Sequence, residues 1–594
     1  MRMASMIGVL MLMVSTTVTA AGSERAELLE LKNTIVNLVD ALVEQGVLPA
    51  DKAEALKREA RAKAAAQAAS EGAIEKDTAA APADAPSKVV RVPYVPEFVK
   101  DEIRADVRKE LRAEVMQDVA VKAREERWGT PEALPDWVNR LTWSGDFRLR
   151  LESTMFDDDN PRPGDPNAPL NFEAINEDQQ LLNNPNAFLN YSENYQRVRA
   201  RLRLGLEAEV LESLKVGMRF STGNLNEPTS LNETLGSGFG RYQFGVDRMF
   251  MRWDLASEHE RARLSLIGGR FERPFYSTEM VWDNDLAFDG FSATGRLRLR
   301  EAPFGAPRLR HGATPFGAPP SEHDDGLFLT LSVIPIDLDE TFEDDGSSND
   351  KWMLGGQLGL DYHLHREIDV RLAYSIYDFV NITGQLNRDT LLFNPGVTPD
   401  NRLDWTAPAY LGTGNTLFPI KFDSTNPFPP PILFGLASDF TLMNLTGEVN
   451  LSFFDPVQVQ LMADVVKNVG FDSSDITRRT GFEVDERTLG YYAHLQVGHE
   501  DLRKFGDWRL SFGYQHLQRD AVIDAFTNSN FMLGGTNSEG FIIVGHLGLS
   551  PRTFLRMRYF SADTIDGWND NLVPGRDDTD VGIDRVQLDL NALF

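Results

Sequence analysis

Between Gln196 and Gly205 an arginine occupies every second position: Arg197, Arg199, Arg201 and Arg203. The residues between them, Val198, Ala200, Leu202 and Leu204, are apolar. A guanidinium group keeps its charge and offers a planar fork of donors that matches carboxylate or phosphate. A ladder of such groups can draw anions toward a pore. Alternate side chains of a strand point to opposite faces, so a strand here carries four charges on one side and hydrocarbon on the other. Four arginines do not fit the dry core of a sandwich, because each unpaired buried charge would cost several kcal/mol. They require water, and the apolar face then requires another medium, of which lipid is the simplest. The same alternation over 141–151 puts Arg148 and Arg150 on the charged face, with Leu149 and Leu151 on the other. The expected pore-lining set is Arg148, Arg150, Arg197, Arg199, Arg201, Arg203 and Arg219. A second reading stays open, in which these arginines pair with Asp146, Glu152, Glu207 and Glu209 and stiffen the wall.

The period of two recurs in sixteen stretches from 141 to the C-terminus. The expected fold is an all-β membrane barrel of about 16 antiparallel strands, with 14–18 compatible with the pattern. The connections alternate long and short, as in barrels with long outer loops and short periplasmic turns. The Pro- and Gly-rich connection 301–326 breaks that alternation. Residues 271–289 read as a loop folded into the lumen, with Glu272, Glu279, Asp283 and Asp285 as the candidate constriction facing the arginines, or as an ordinary exposed loop. The long connection 380–437, with Leu417, Phe418, Phe428, Ile432 and Phe434, is a second candidate cap. Trp143, Trp253 and Trp508 fall where an aromatic girdle would sit. The last strand ends in Phe594, an aromatic closing an amphipathic run, as in the assembly signal of outer-membrane barrels.

The remaining chain supplies the export route. Residues 1–20 read as a secretory signal peptide, since the apolar run Met6 to Val14 is too short to span a bilayer. Residues 22–71 read as a helical or coiled-coil segment: Leu28, Leu31, Ile35, Leu38 and Leu42 form an a/d seam. An Ala/Pro-rich linker follows at 72–96, then a periplasmic helix and connector at 97–136, and the barrel over 137–594. The 594-residue chain has no cysteine, which removes disulfides and thiolate chemistry. A net charge of −29 opposes nucleic-acid binding. The mean hydropathy of −0.31 hides lipid-facing residues that occur at every second position. No catalytic centre, cofactor or metal set is expected. His363 and His365 are placed in a tight turn without a metal-binding frame. Acidic clusters at Asp157 to Asp159, Glu343 to Asp345 and Asp577-Asp578 could bridge divalent cations to lipopolysaccharide or keep loops solvated.

Several stretches resemble the Putative porin family of Gram-negative bacteria: LVEQGVLPADKAEAL from Leu42, VRVPYVP from Val90, WGTPEALPDWVNRLTWSGDFRLR from Trp128, QRVRARLRLG from Gln196 and GGRFERPFYSTEMVWDNDLAFDG from Gly268. The resemblance implies a barrel pore with an N-terminal helical or coiled-coil extension, and no residue-level site. The expected function is passive diffusion of small hydrophilic solutes or ions across the outer membrane, with the extension in the periplasm. An anion-selective, phosphate-like channel is one variant. A tether or adhesin with a plugged lumen, and an enzyme barrel, are the competing classes. The expected partners are outer-membrane lipid and lipopolysaccharide, the barrel-assembly machinery, and further copies of the chain, with a trimer favoured.

Overall fold

The computed structural model describes residues 140–594 apart from 164, 166–167, 181–183, 225–226, 237, 257–261, 301–324, 339–348, 388–400, 423–431 and 568–579. The readings for 1–136, Phe428, the acidic clusters Glu343 to Asp345 and Asp577-Asp578, and nearly all of 301–326 lie outside these residues.

Sixteen antiparallel strands close into a barrel. They are β1 (Leu141–Phe156), β2 (Tyr195–Leu211), β3 (Leu214–Thr222), β4 (Phe244–Ala256), β5 (Ala262–Glu272), β6 (Ala287–Arg300), β7 (Asp325–Asp337), β8 (Lys351–His365), β9 (Ile368–Val380), β10 (Thr441–Phe454), β11 (Val457–Asn468), β12 (Leu489–His499), β13 (Trp508–Leu517), β14 (Ser538–Ser550), β15 (Thr553–Thr564) and β16 (Gly582–Leu593). Each pairs with its neighbour in sequence, and β1 pairs with β16 from Asp146↔Leu593 to Phe156↔Ile583, which closes the ring. A two-residue strand, Glu233–Thr234, adds to β2 beside Arg199 and Ala200.

The burial pattern is that of a membrane barrel. Along β7, Leu327, Leu329, Leu331 and Val333 are exposed, while Thr330 and Ser332 are buried. A soluble sheet would do the reverse. Trp143, Trp253 and Trp508 are exposed near the short-turn ends of β1, β4 and β13, as the girdle reading expects. Among the described residues, no helix is long and apolar enough to cross a membrane.

The apolar core lies at the long-loop end of the barrel. There the last inward residues of the strands, including Phe288, Ile334, Met353, Tyr377, Leu442, Val466 and Leu517, are apolar, and they pack against loop residues. The described part of 380–437 joins this core through a hairpin, Leu417–Phe422 with Ile432–Leu436. Phe434 of that hairpin meets Phe172 edge-on, ring centroids 4.8 Å apart. Phe172 opens helix α1 (Phe172–Asp178), whose cap Asn171 accepts a hydrogen bond from the Ala174 amide at 3.2 Å. Helix α2 (Ser473–Thr480) starts at Asp472, whose carboxylate caps it, and stops at Gly481 with φ +78°.

Two sequence expectations change here. His363 is not in a turn: β8 continues to His365, and His363 is buried with Nδ1 2.7 Å from Asp325 and Nε2 3.2 Å from Asp369. Carboxylates on both flanking strands let a polar ring stay inside the wall. Glu272 ends β5 rather than opening the loop, and it pairs with Arg248 at 2.8 Å.

Candidate functional site

The arginines meet across the β1–β2 ladder. Its register sets Asp146 opposite Arg203, Arg148 opposite Arg201, Arg150 opposite Arg199, and Glu152 opposite Arg197. Two like-charged pairs therefore face one another directly, which is unfavourable unless other groups intervene. Those groups come from three directions. From β16, Asp589 accepts from Arg150 at 2.7 and 3.1 Å and also holds Arg556 of β15 at 2.6 Å. From β1, Asp146 accepts from Arg201 at 2.9 Å and also binds Arg203, while Glu152 binds Arg197 and lies 3.9 Å from Arg150. From the loop after β5, Asp285 accepts from Arg201 at 2.9 Å and lies 3.7 Å from Arg203.

Arg148 and Arg199 find neutral partners instead. Arg148 donates to the Asn232 side chain, and Arg199 donates to Ser230 Oγ at 3.3 Å and to the Asn232 carbonyl at 3.1 Å. Arg219 sits apart on β3 and pairs with Asp247 of β4. Asp146 and Glu152 thus pair as the stiff-wall reading expects, but Glu207 and Glu209 form no ion pair with the arginines. They lie beyond the row, opposite Gly217 and Lys215 of β3.

The patch extends past the residues singled out from sequence. Arg556 and Arg558 of β15 and Arg585 of β16 join it, and Arg585 donates to Thr154 Oγ1 and to the Asn530 carbonyl. Nine guanidinium groups on β15, β16, β1 and β2 thus gather around four carboxylates, Asp146, Glu152, Asp285 and Asp589: six of them pair with these, and Arg148, Arg199 and Arg585 bond neutral groups. Arg556-Met557-Arg558 and Arg585 to Asp589 carry the same period-two signal as 197–203, in shorter runs.

The loop 273–286 crosses the bore. At one side Tyr276 exchanges backbone hydrogen bonds with the Gln357 side chain, both 2.8 Å, and its hydroxyl donates to Glu448 of β10. Thr278 donates to Asp464 of β11 from its amide at 3.0 Å and its hydroxyl at 2.6 Å. At the other side Asp285 holds Arg201 of β2. In a ring of sixteen, β2 and β10 stand eight strands apart, so the loop reaches between opposite walls. Between these anchors Trp282 packs edge-on to Tyr377 and Phe288, centroids 5.2 Å apart in both cases.

The other carboxylates of this loop fasten it to the connection 518–537. Glu279 accepts from Asn528 at 2.9 Å and also binds Asn284. Asp283 accepts from the Ser529 and Asp285 amides at 2.8 and 2.7 Å. Burial, then the neighbouring charges of Asp285 and Glu279, push Asp283 up. Burial also opposes ionisation of Asp285, but Arg201, Arg148 and Arg203 outweigh it and hold this carboxyl below the usual range.

The loop's root needs two glycines. Gly269 and Gly290 are directly opposite in the β5–β6 ladder, with φ of +116° and +120°. A Cβ on either would lie 2.3 Å from a neighbouring carbonyl oxygen, of Met249 or of Val333. The terminal Phe594 exchanges backbone hydrogen bonds with Gly145 of β1 at 2.8 and 3.0 Å, and its ring covers that glycine.

Among the described residues, no three His, Asp or Glu side chains converge as a metal set, Asp157 to Asp159 included. No curated protein matches the chain. Among solved structures it is similar to OprB of Pseudomonas putida, at 9% identity over 79% of this chain and 97% of that one, TM-score 0.40. It is also similar to OmpF of Salmonella typhi, described in complex with daunomycin, at 11% identity over 76% and 97%, TM-score 0.35. A third is the outer membrane channel DcaP of Acinetobacter baumannii, at 10% identity over 76% and 97%, TM-score 0.33. Likeness at this level carries no argument about solutes. The family model described as Putative porin matches residues 32–594, and the chain belongs to that family.

Proposed function

We propose that the chain is an outer-membrane porin for passive diffusion of small hydrophilic solutes, with a preference for anions set by its arginine wall. One observation carries the reading: a loop reaches between opposite walls, and one of its ends rests on a patch in which nine guanidinium groups stand against four carboxylates. The excess of five positive charges raises the local concentration of anions in a bore whose walls focus the field. Arg148, Arg150, Arg197, Arg199, Arg201 and Arg203 are the lining residues of this reading, with Arg219 on the neighbouring strand. Asp285, Asp283 and Glu279 hold the constriction. Planar-bilayer conductance in a salt gradient tests it: the expected reversal potential has the sign of anion preference. A cation-selective current would overturn the selectivity. A correctly folded barrel without current would overturn the channel.

A tether or adhesin with a plugged lumen is the second reading, favoured by the apolar core that the loops build at the long-loop end. The same conductance measurement separates the two. In either reading the signal peptide at 1–20 directs export, and the helical segment 22–71 and the helix at 97–136 extend into the periplasm. Phe594 acts as the assembly signal for the barrel-assembly machinery, and lipopolysaccharide meets the outer loops. The a/d seam within 24–46 joins chains as a trimer. Sedimentation of the full chain in detergent, with and without that seam, tests association, and a monomer in both cases would remove it.

A further inference from the structure

Beneath the crossing loop, on the side of the short turns, lies a cavity of about 310 Å³ between loop residues 273–284, Arg273 included, and the inner faces of β10 to β15. Its wall is mixed: Met280, Met462, Ile542, Val544 and Phe560 supply apolar surface, and among its polar groups a few buried atoms lack a partner. Arg558, 7% exposed, has no hydrogen-bond partner for Nε or Nη2, and its nearest carboxylate, Asp589, lies 3.9 Å away and is already held by Arg150 and Arg556. Gln515 and Ser511 are buried to 3% and 5% exposure and line the same space with Gln496. The ring Nδ1 atoms of His494 and His546 in this wall are also without a partner. Buried polar groups are normally bonded, so a guanidinium and two imidazoles left without a protein partner, beside the polar side chains of Gln496, Gln515 and Ser511, mark a wall suited to a polar solute.

The open groups specify its chemistry. A neutral sugar would leave the Arg558 fork unanswered, and a cation would be repelled by Arg556 and Arg558. An inorganic anion would answer the fork and leave the amides and most of the volume unused. The carboxylates in this wall are already supplied with donors: Glu448 accepts from Tyr276, Asn450 and Gln460, and Glu279 from Asn284 and Asn528. An ammonium group would have to compete with those donors and with the charges of Arg556 and Arg558. We propose that this cavity is a binding site for a small hydroxylated monocarboxylate of the sugar-acid class, its carboxylate on Arg558 and its hydroxyls on Gln496, Gln515 and Ser511. The assignment deepens the channel reading, on which it rests for the solute's route in.

The test is calorimetric titration of the full chain, purified in detergent, with gluconate, glucose and acetate at equal ionic strength. Gluconate is expected to bind saturably and at least about tenfold more tightly than either fragment probe, since it answers both halves of the site. Arg558→Gln should weaken gluconate by about tenfold or more and leave glucose unchanged. Gln496→Leu should weaken gluconate and glucose together. If Arg558→Gln does not fold, Arg558→Lys keeps the charge without the fork and should still weaken gluconate. Gluconate binding no tighter than acetate or glucose, or indifferent to Arg558, would overturn the site. Bilayer conductance is measured separately. Gluconate binding to a barrel that passes no current would overturn the channel and keep the site, whereas current without saturable gluconate binding would overturn the site alone.

Discussion

Replacing Asp285 with asparagine removes the carboxylate that the crossing loop sets against the arginine wall. Arg201 lies 2.9 Å and Arg203 3.7 Å from it, and the three side chains are 9%, 22% and 15% exposed in the order Arg201, Arg203, Asp285. A unit-charge pair near 4 Å is worth about 4 kcal/mol at an effective dielectric of about 20. Asn keeps one acceptor, and Asp146 still holds both arginines, so the loss belongs at the low end of the range for breaking a buried pair, about 3 kcal/mol. That is roughly a hundredfold in the ratio of docked to undocked loop end. The patch also changes from nine guanidinium groups against four carboxylates to nine against three. Asp285→Asn should therefore shift the reversal potential in a KCl gradient toward stronger anion preference, raise open-channel noise, and speed deuterium exchange over 276–286. Because the arginines hold Asp285 below the usual carboxylate range, the contact persists as pH falls through about 4 and is lost only in stronger acid. A variant whose barrel is intact, with wild-type reversal potential, noise and exchange, would refute the account of the loop as an electrostatic anchor.

Three further outcomes are expected. Neutralising Arg199 and Arg201 together should shift selectivity toward cations by more than neutralising Asp157 and Asp158 shifts it the other way. Lumen fields overlap within a Debye length of about 8 Å, whereas rim carboxylates are screened, so equal shifts would sink that ranking. Burial pushes Asp524 up to about 6, against the pull of the Asn415 and Gly412 amides that donate to it. Its folded pKa is raised, so its contribution is complete below about pH 4 and is lost as pH rises through 6; exchange protection over 411–416, corrected for intrinsic rates, should fall in that window, and a rise would contradict the sign. Single cysteines at 149 and 202, in a chain with none of its own, should resist a water-soluble lumen probe that labels cysteines at 148 and 201, and inverted labelling would reverse the parity of both strands.

The wall was legible because a strand in a barrel repeats one decision every two residues. Leu149, Leu151, Val198 and Leu202 announce a face, and the arginines between them announce the other. The sixteen-strand count followed from the same signal. The contacts that make the site were not legible, because they join residues with no shared period: Trp282 with Tyr377, Phe172 with Phe434, Asp285 with Arg201. Register is what brings such groups together, and register is set by pairing rather than by local composition. Glu272 and His363 show the limit at strand ends. Glu272 looked like a loop carboxylate and His363 like a turn residue, and each stays in the ladder beside a charged partner on an adjacent strand, Arg248 for one and Asp325 with Asp369 for the other. The constriction loop was suggested by its aromatics and acids. Its span could not be read, since nothing local to 273–286 names β10 or β2 as its anchors.

The seam between the first and last strands has a consequence for how the ring comes to close. Asp589 belongs to the strand made last, and it stands between Arg150 on one side and Arg556 and Arg558 on the other. Without β16, Arg150 of β1 and Arg556 and Arg558 of β15 would lack the carboxylate that stands between them. A ring one strand short would join β15 to β1 and set Arg150 against Arg556 and Arg558 without Asp589 between them. Arrival of the C-terminal strand converts that repulsion into three contacts on a single carboxylate, while Phe594 settles over Gly145 on the outside. The arginines beside the seam thus favour the sixteenth stave, since Asp589 answers them only with that strand in place.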